Sequence, residues 1–170
     1  MGRTKKLTLC AVLVALALAL SYTERFLPLQ WLIPLPGVKL GLANIVTLIA
    51  LYLMGGKYAF AILIPRCILG SIFGGGITGL LFSLTGGMLA MGLMILCRKM
   101  PHLSIYGVSV LGAAAHSTGQ ILAAMGLMQS VYVLAYLPYL LGISIFTGLA
   151  TGAAGAGVLR VIGKENVWRK

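Results

Sequence analysis

The sequence predicts an all-α fold: a polytopic membrane protein folded as a single bundle of six transmembrane helices. Three observations carry this expectation. Of 170 residues, 60% are hydrophobic and 9% are charged, a balance far from that of a soluble domain. Cutting the chain at charges, prolines and glycine clusters leaves six apolar segments near the 17 to 25 residues that a helix needs to cross a bilayer. Basic residues gather at alternate breaks between them, as they do when a chain threads back and forth through a membrane.

The spans are expected at about 7–22, 38–54, 58–73, 77–97, 105–128 and 131–162. The first follows Arg3, Lys5 and Lys6, and the second ends at Gly55-Gly56-Lys57. Arg98 and Lys99 close the fourth. The sixth is long and rich in glycine, so a tilt or break is expected there. A cleaved signal peptide is the competing reading of the basic N-terminus and its apolar run. Removing that helix would spoil the charge alternation, which favours a retained span.

The formal charge is +11. In a soluble protein this would suggest nucleic acid, but here the charge sits in short loops and tails, where it orients a membrane protein, and no nucleic-acid partner is expected. Ten of the thirteen basic residues fall on one face of the six-span scheme, leaving Arg25, Lys39 and Arg66 elsewhere. The positive-inside rule places both termini in the cytoplasm.

Between the first two spans, TERFLPLQWLIPLPG holds Pro28, Pro34 and Pro36 too closely for a continuous helix, yet is apolar. Its 26–37 stretch reads either as a cover over the bundle or as an interfacial anchor through Trp31. Ala11, Ala15 and Ala19 recur every fourth residue and line one face of the first helix, a surface on which another helix can approach closely. Such stripes also arise from ordinary packing. Cys10, Cys67 and Cys97 form no CxxC or Cys/His cluster and read as small packing residues, with no metal site.

Ionisable groups within a span are costly and by default mark a functional site. Lys39 and Asn44 enter the second span from outside, Arg66 lies within the third beside Pro65, and His116, Ser117 and Gln120 lie within the fifth. At about 1.5 Å per residue, Asn44 is roughly 9 Å below the outer end of its span. Arg66 and His116 are roughly 12 and 17 Å above the cytoplasmic ends of theirs, so the groups can meet around one cavity. His116 and Gln120 share a helix face. Lys39, Asn44, Arg66, His116 and Gln120 are therefore the candidate substrate-binding residues. Lys39 reads equally as a lysine snorkelling to the headgroups and His116 as a satisfied core histidine; Arg66 is harder to dismiss, its competing reading being a donor to carbonyls freed by Pro65. With no acid placed inside the spans, the cavity is expected to be electropositive and suited to an anionic or carbonyl-rich molecule.

The chemistry of an enzyme is missing from the sequence. Glu24 and Glu165 are its two acids, far apart and placed at or beyond the membrane edges, so neither a carboxylate pair nor an acid-rich magnesium site is expected. No GxxxxGK[ST] loop is present, and Ser71, Ser83 and Ser117 lack the acid of a conventional triad. A non-catalytic protein without cofactors is expected.

At LPGVKLGLANIVTL (35–48), AAAHSTGQ (113–120) and PRCILGSIFGGG (65–76), the chain resembles small bacterial membrane proteins labelled heptaprenyl diphosphate synthase component I or Gx transporter. The synthase label implies isoprenoid chain elongation, which normally uses aspartate-rich motifs. This sequence has no aspartate, so the label implies an auxiliary role beside a soluble synthase. The layout also resembles the S component of energy-coupling factor transporters. That resemblance implies a bacterial plasma-membrane uptake protein binding a small anionic, quinone-related or isoprenoid-related compound. It further implies that the Ala11/Ala15/Ala19 face docks a transmembrane coupling subunit joined to ATPase subunits. The competing expectation is a membrane subunit assisting prenyl transfer or quinone- and flavin-linked electron transfer.

Overall fold

The computed structural model describes residues 2–26 and 41–163, and every regular element among them is helical. Helix α1 (Arg3–Thr23) runs into a 3-10 turn, Glu24–Phe26. Helix α2 (Asn44–Met54) is followed directly by α3 (Gly56–Gly70), and a π-type turn, Ser71–Gly75, leads into α4 (Gly76–Arg98). Helix α5 (Ile105–Met128), a 3-10 turn at Val131–Tyr136 and α6 (Leu137–Val161) complete the bundle.

Among the described residues, five segments are long and apolar enough to cross a membrane: α1, Gly56–Gly74, α4, α5 and Val131–Val161. Helix α2 has 11 residues, a rise of about 16 Å, roughly half a bilayer core. The sequence places the start of this span at 38, and residues 38–40 lie outside the described ones. The helix begins at Asn44 because Gly41, with φ of 83°, turns the chain and accepts the Asn44 N–H at 2.8 Å. A positive φ of this kind suits glycine. Gly55, with φ of 91°, makes the reverse turn from α2 into α3.

Helix α2 is the buried axis of the bundle. It packs against α1, α3, α4 and α6, and eight of its residues are buried. The most extensive contacts join α4 to α5 and α5 to α6. They are close because glycines face backbone: a Cβ on Gly119 would stand 2.7 Å from Gly86 Cα, and one on Gly148 would stand 2.5 Å from Val110 Cα. Small residues let helices approach in this way where no hydrophobic effect drives them together. Across the α5–α6 contact, the Ser109 and Thr151 hydroxyls share a 2.7 Å hydrogen bond. By contrast, α1 buries Leu13 and Ala17 and leaves Ala11, Ala15 and Ala19 exposed.

Basic side chains meet at one end of the bundle. Lys6 Nζ stands 5.4 Å from the Tyr58 ring, and the Arg98 guanidinium lies 5.2 Å from the Tyr52 ring while donating to the Leu51 carbonyl. These contacts bring the start of α1, the α2–α3 turn and the end of α4 together. Gly155 packs on Ile105, which carries the end of α6, and with it Arg160, to the same level. Phe26, Phe73, Tyr132, Tyr136 and Tyr139 are exposed toward the other end, and Tyr106 is exposed at the start of α5.

Candidate functional site

The polar residues of the apolar spans meet where α4 and α5 pass from one apolar core to another. Toward the basic end, α4 and α5 contribute Ala90, Met91, Met94, Ile105 and Val108 to a core shared with α1, α2, α3 and α6. Toward the aromatic end, Phe82, Ile121 and Ala124 join Val133 and Leu140 in a smaller cluster. Between these layers lie Gly86 on α4 and His116, Ser117 and Gln120 on α5, with all three α5 side chains buried.

Arg66 enters this layer from α3. It is only 7% exposed, and its Nη2 donates to Asn44 Oδ1 at 3.0 Å. The expectation that it serves the carbonyls freed by Pro65 gives way to this side-chain partner on the neighbouring helix. Its Nε is buried and has no hydrogen-bond partner among the described residues. An arginine places five donors in a fixed fork, so occupying one with an amide leaves directional capacity for a further acceptor.

His116 sits between two glycines. A Cβ at Gly41 would stand 3.3 Å from His116 Cδ2 and 2.8 Å from Asn44 Nδ2, and one at Gly86 would stand 2.9 Å from His116 Nδ1. The imidazole therefore fills the space that side chains at 41 and 86 would take, and it reaches the start of α2 beside Asn44. Gln120 lies one turn further along α5 and is fully buried. Asn44, Arg66 and His116 are thus brought together from α2, α3 and α5, with Gln120 on the His116 face. Lys39 and nearly all of the 26–37 stretch lie outside the described residues.

Glu24 corrects the expected charge of the site. The sequence reading puts it at the membrane edge and leaves no acid among the spans, but it is 3% exposed. Its Oε1 accepts the Gly41 N–H, and its charge acts on Arg66. The 3-10 turn that ends α1 folds the carboxylate back over the start of α2. The signal in the sequence was its isolation: an acid in an apolar chain, directly after a span, has reason to be paired.

Residues 13–158 match the family described as heptaprenyl diphosphate synthase component I. The chain belongs to that family. Glu24, Asn44, Arg66, His116 and Gln120 all fall within the matched stretch, whereas Arg3, Lys5, Lys6 and Arg160 lie outside it. The family name denotes a component, a protein that works with other subunits. No curated protein and no solved structure matches the chain.

Proposed function

We propose that this chain is the substrate-binding membrane component of an energy-coupled uptake system. In this reading it holds a small compound at Arg66, Asn44, His116 and Gln120, with Lys39 adding charge from the outer side. The observation that supports it best is Arg66, buried in an apolar bundle, with Nη2 on Asn44 and Nε lacking a partner among the described residues. Ionisable groups kept at such depth are costly unless a function retains them. Glu24 opposes Arg66 here, which favours a carbonyl-bearing compound, such as one related to quinones or isoprenoids, over a multiply charged anion.

The protein itself is non-catalytic in this reading, and ATPase subunits acting through a coupling subunit supply the energy. The exposed Ala11, Ala15 and Ala19 face of α1 supports such a docking role, since small side chains there are uncovered. The basic end supports a plasma-membrane orientation with both termini in the cytoplasm. A second reading rests on the family name: a membrane subunit that assists a prenyl diphosphate synthase.

Native mass spectrometry of the protein extracted in mild detergent tests the binding reading. The wild type is expected to retain a small molecule, and Arg66→Ala to lose it by about 10- to 150-fold, the worth of one charged hydrogen bond. Arg66→Lys should fall between the two. Equal retention by a folded Arg66→Ala protein would reject the site. Copurified proteins separate the two roles: an ATPase pair with a coupling subunit supports uptake, and a soluble prenyl synthase supports the second reading.

A further inference from the structure

Glu24 stands one backbone residue away from the Asn44–Arg66 pair. Its Oε1 accepts the Gly41 N–H, and the Gly41 carbonyl accepts the Asn44 N–H at 2.8 Å. A Cβ on Gly41 would lie 2.8 Å from Asn44 Nδ2, on the same amide whose Oδ1 receives Arg66 Nη2 at 3.0 Å. The carboxylate and the guanidinium therefore reach the same residue, one through the Gly41 turn and the other directly.

The charges of this layer can be counted. Among the described buried residues, Glu24 is the acid and Arg66 the strong base, so their charges cancel. A carboxylate or phosphate added here would leave a negative charge in excess among buried groups, which is costly. An uncharged carbonyl adds none. It can still be held, because Arg66 Nε is buried and has no hydrogen-bond partner among the described residues.

We propose that Glu24 selects the charge of the compound this layer accepts: with its carboxylate in place, the layer takes an uncharged carbonyl compound and turns away carboxylates and phosphate esters. The assignment rests on the reading that the Arg66 layer holds a small compound, and it gives Glu24 a part in specificity. A merely structural Glu24 would act through its bond to the Gly41 N–H, which a glutamine oxygen can also accept. A selecting Glu24 acts through its charge, which glutamine removes.

The test uses two probes of one shape, 2-naphthamide and 2-naphthoate, near neutral pH, where the first is uncharged and the second an anion. Dissociation constants for both are measured on the full-length protein in one detergent. Their ratio is compared between variants, so that partition into the micelle cancels. Wild type should prefer the amide. Glu24→Gln leaves Arg66 uncompensated and should shift the ratio toward the carboxylate by about 10- to 1,000-fold, the range over which a nearby charge moves such an equilibrium. Arg66→Gln should hold both probes more weakly and shift the ratio further toward the amide. The double variant Glu24→Gln/Arg66→Gln again has no charge in excess and should lose the carboxylate preference of Glu24→Gln. An unchanged ratio in folded Glu24→Gln, or in Arg66→Gln where Glu24→Gln does not fold, would overturn the proposal and leave the site standing. Binding of neither probe by wild type and every variant would overturn the site itself, and the proposal with it.

Discussion

Glu24 shows how a single residue can be misplaced when it is read from sequence position alone. Counting residues put it at or beyond the end of a span and left its partners unstated, whereas the chain turns it inward to accept the Gly41 N–H in a buried setting. That bond makes a pair of substitutions informative. Glu24→Ala leaves a buried donor without its acceptor and should destabilise the protein by about 1 to 3 kcal/mol. Glu24→Gln keeps an acceptor at the same reach and should retain most of the stability. Thermal unfolding in detergent reads both, and equal melting temperatures would show that the Gly41 bond contributes nothing. Asn44 and Arg66 were easier to find. A polar side chain inside an apolar run is visible in any sequence, but that the two bond to each other was not, because periodicity orders residues within a helix and does not rank contacts between helices.

At the scale of the element, glycine divides into residues that the packing requires and residues that it does not. The sequence alone offers 23 of them, and small-xxx-small spacing cannot sort them, since chance supplies many matches. Gly119 belongs to the first kind: a Cβ there would press on Gly86 Cα at 2.7 Å and on the Thr85 carbonyl oxygen at 2.8 Å, both backbone atoms that cannot swing aside. Gly119→Ala should force α4 and α5 apart and destabilise by about 1 to 3 kcal/mol. Gly142, within α6, has no atom within 4 Å of an added Cβ. Gly142→Ala should be neutral or stabilise by up to about 1 kcal/mol, the helix propensity gained. Melting temperatures of the two variants should move in opposite directions. If they moved together, the close α4–α5 crossing would not be what holds the bundle.

For the whole molecule, composition and charge made the helical membrane class legible, because hydrocarbon admits few solutions for a backbone and the basic residues mark the ends of spans. The short α2 was not legible in the same way. Its apolar residues continue upstream to Val38 in the sequence, but the turn at Gly41 starts the helix at Asn44, and that start sets Asn44 beside Arg66. The resulting bundle is polarised, with Lys6, Lys57, Arg98 and Arg160 toward one end and the exposed Phe26, Phe73, Tyr132, Tyr136 and Tyr139 toward the other. Membranes read such polarity, since lysine and arginine are held on the cytoplasmic side. A fluorescent reporter that matures only in the cytoplasm should therefore glow when fused after Lys170, and a reporter inserted between Lys99 and Ser104 should report the same side. A phosphatase active only outside the membrane should work when inserted in the Ser71–Gly75 turn, which joins α3 to α4 at the far end. Active phosphatase between Lys99 and Ser104, with a dark C-terminal fusion, would invert the topology. In that case Arg66 and Asn44 would lie nearer the cytoplasmic face, where a compound could reach them from a soluble synthase rather than from outside.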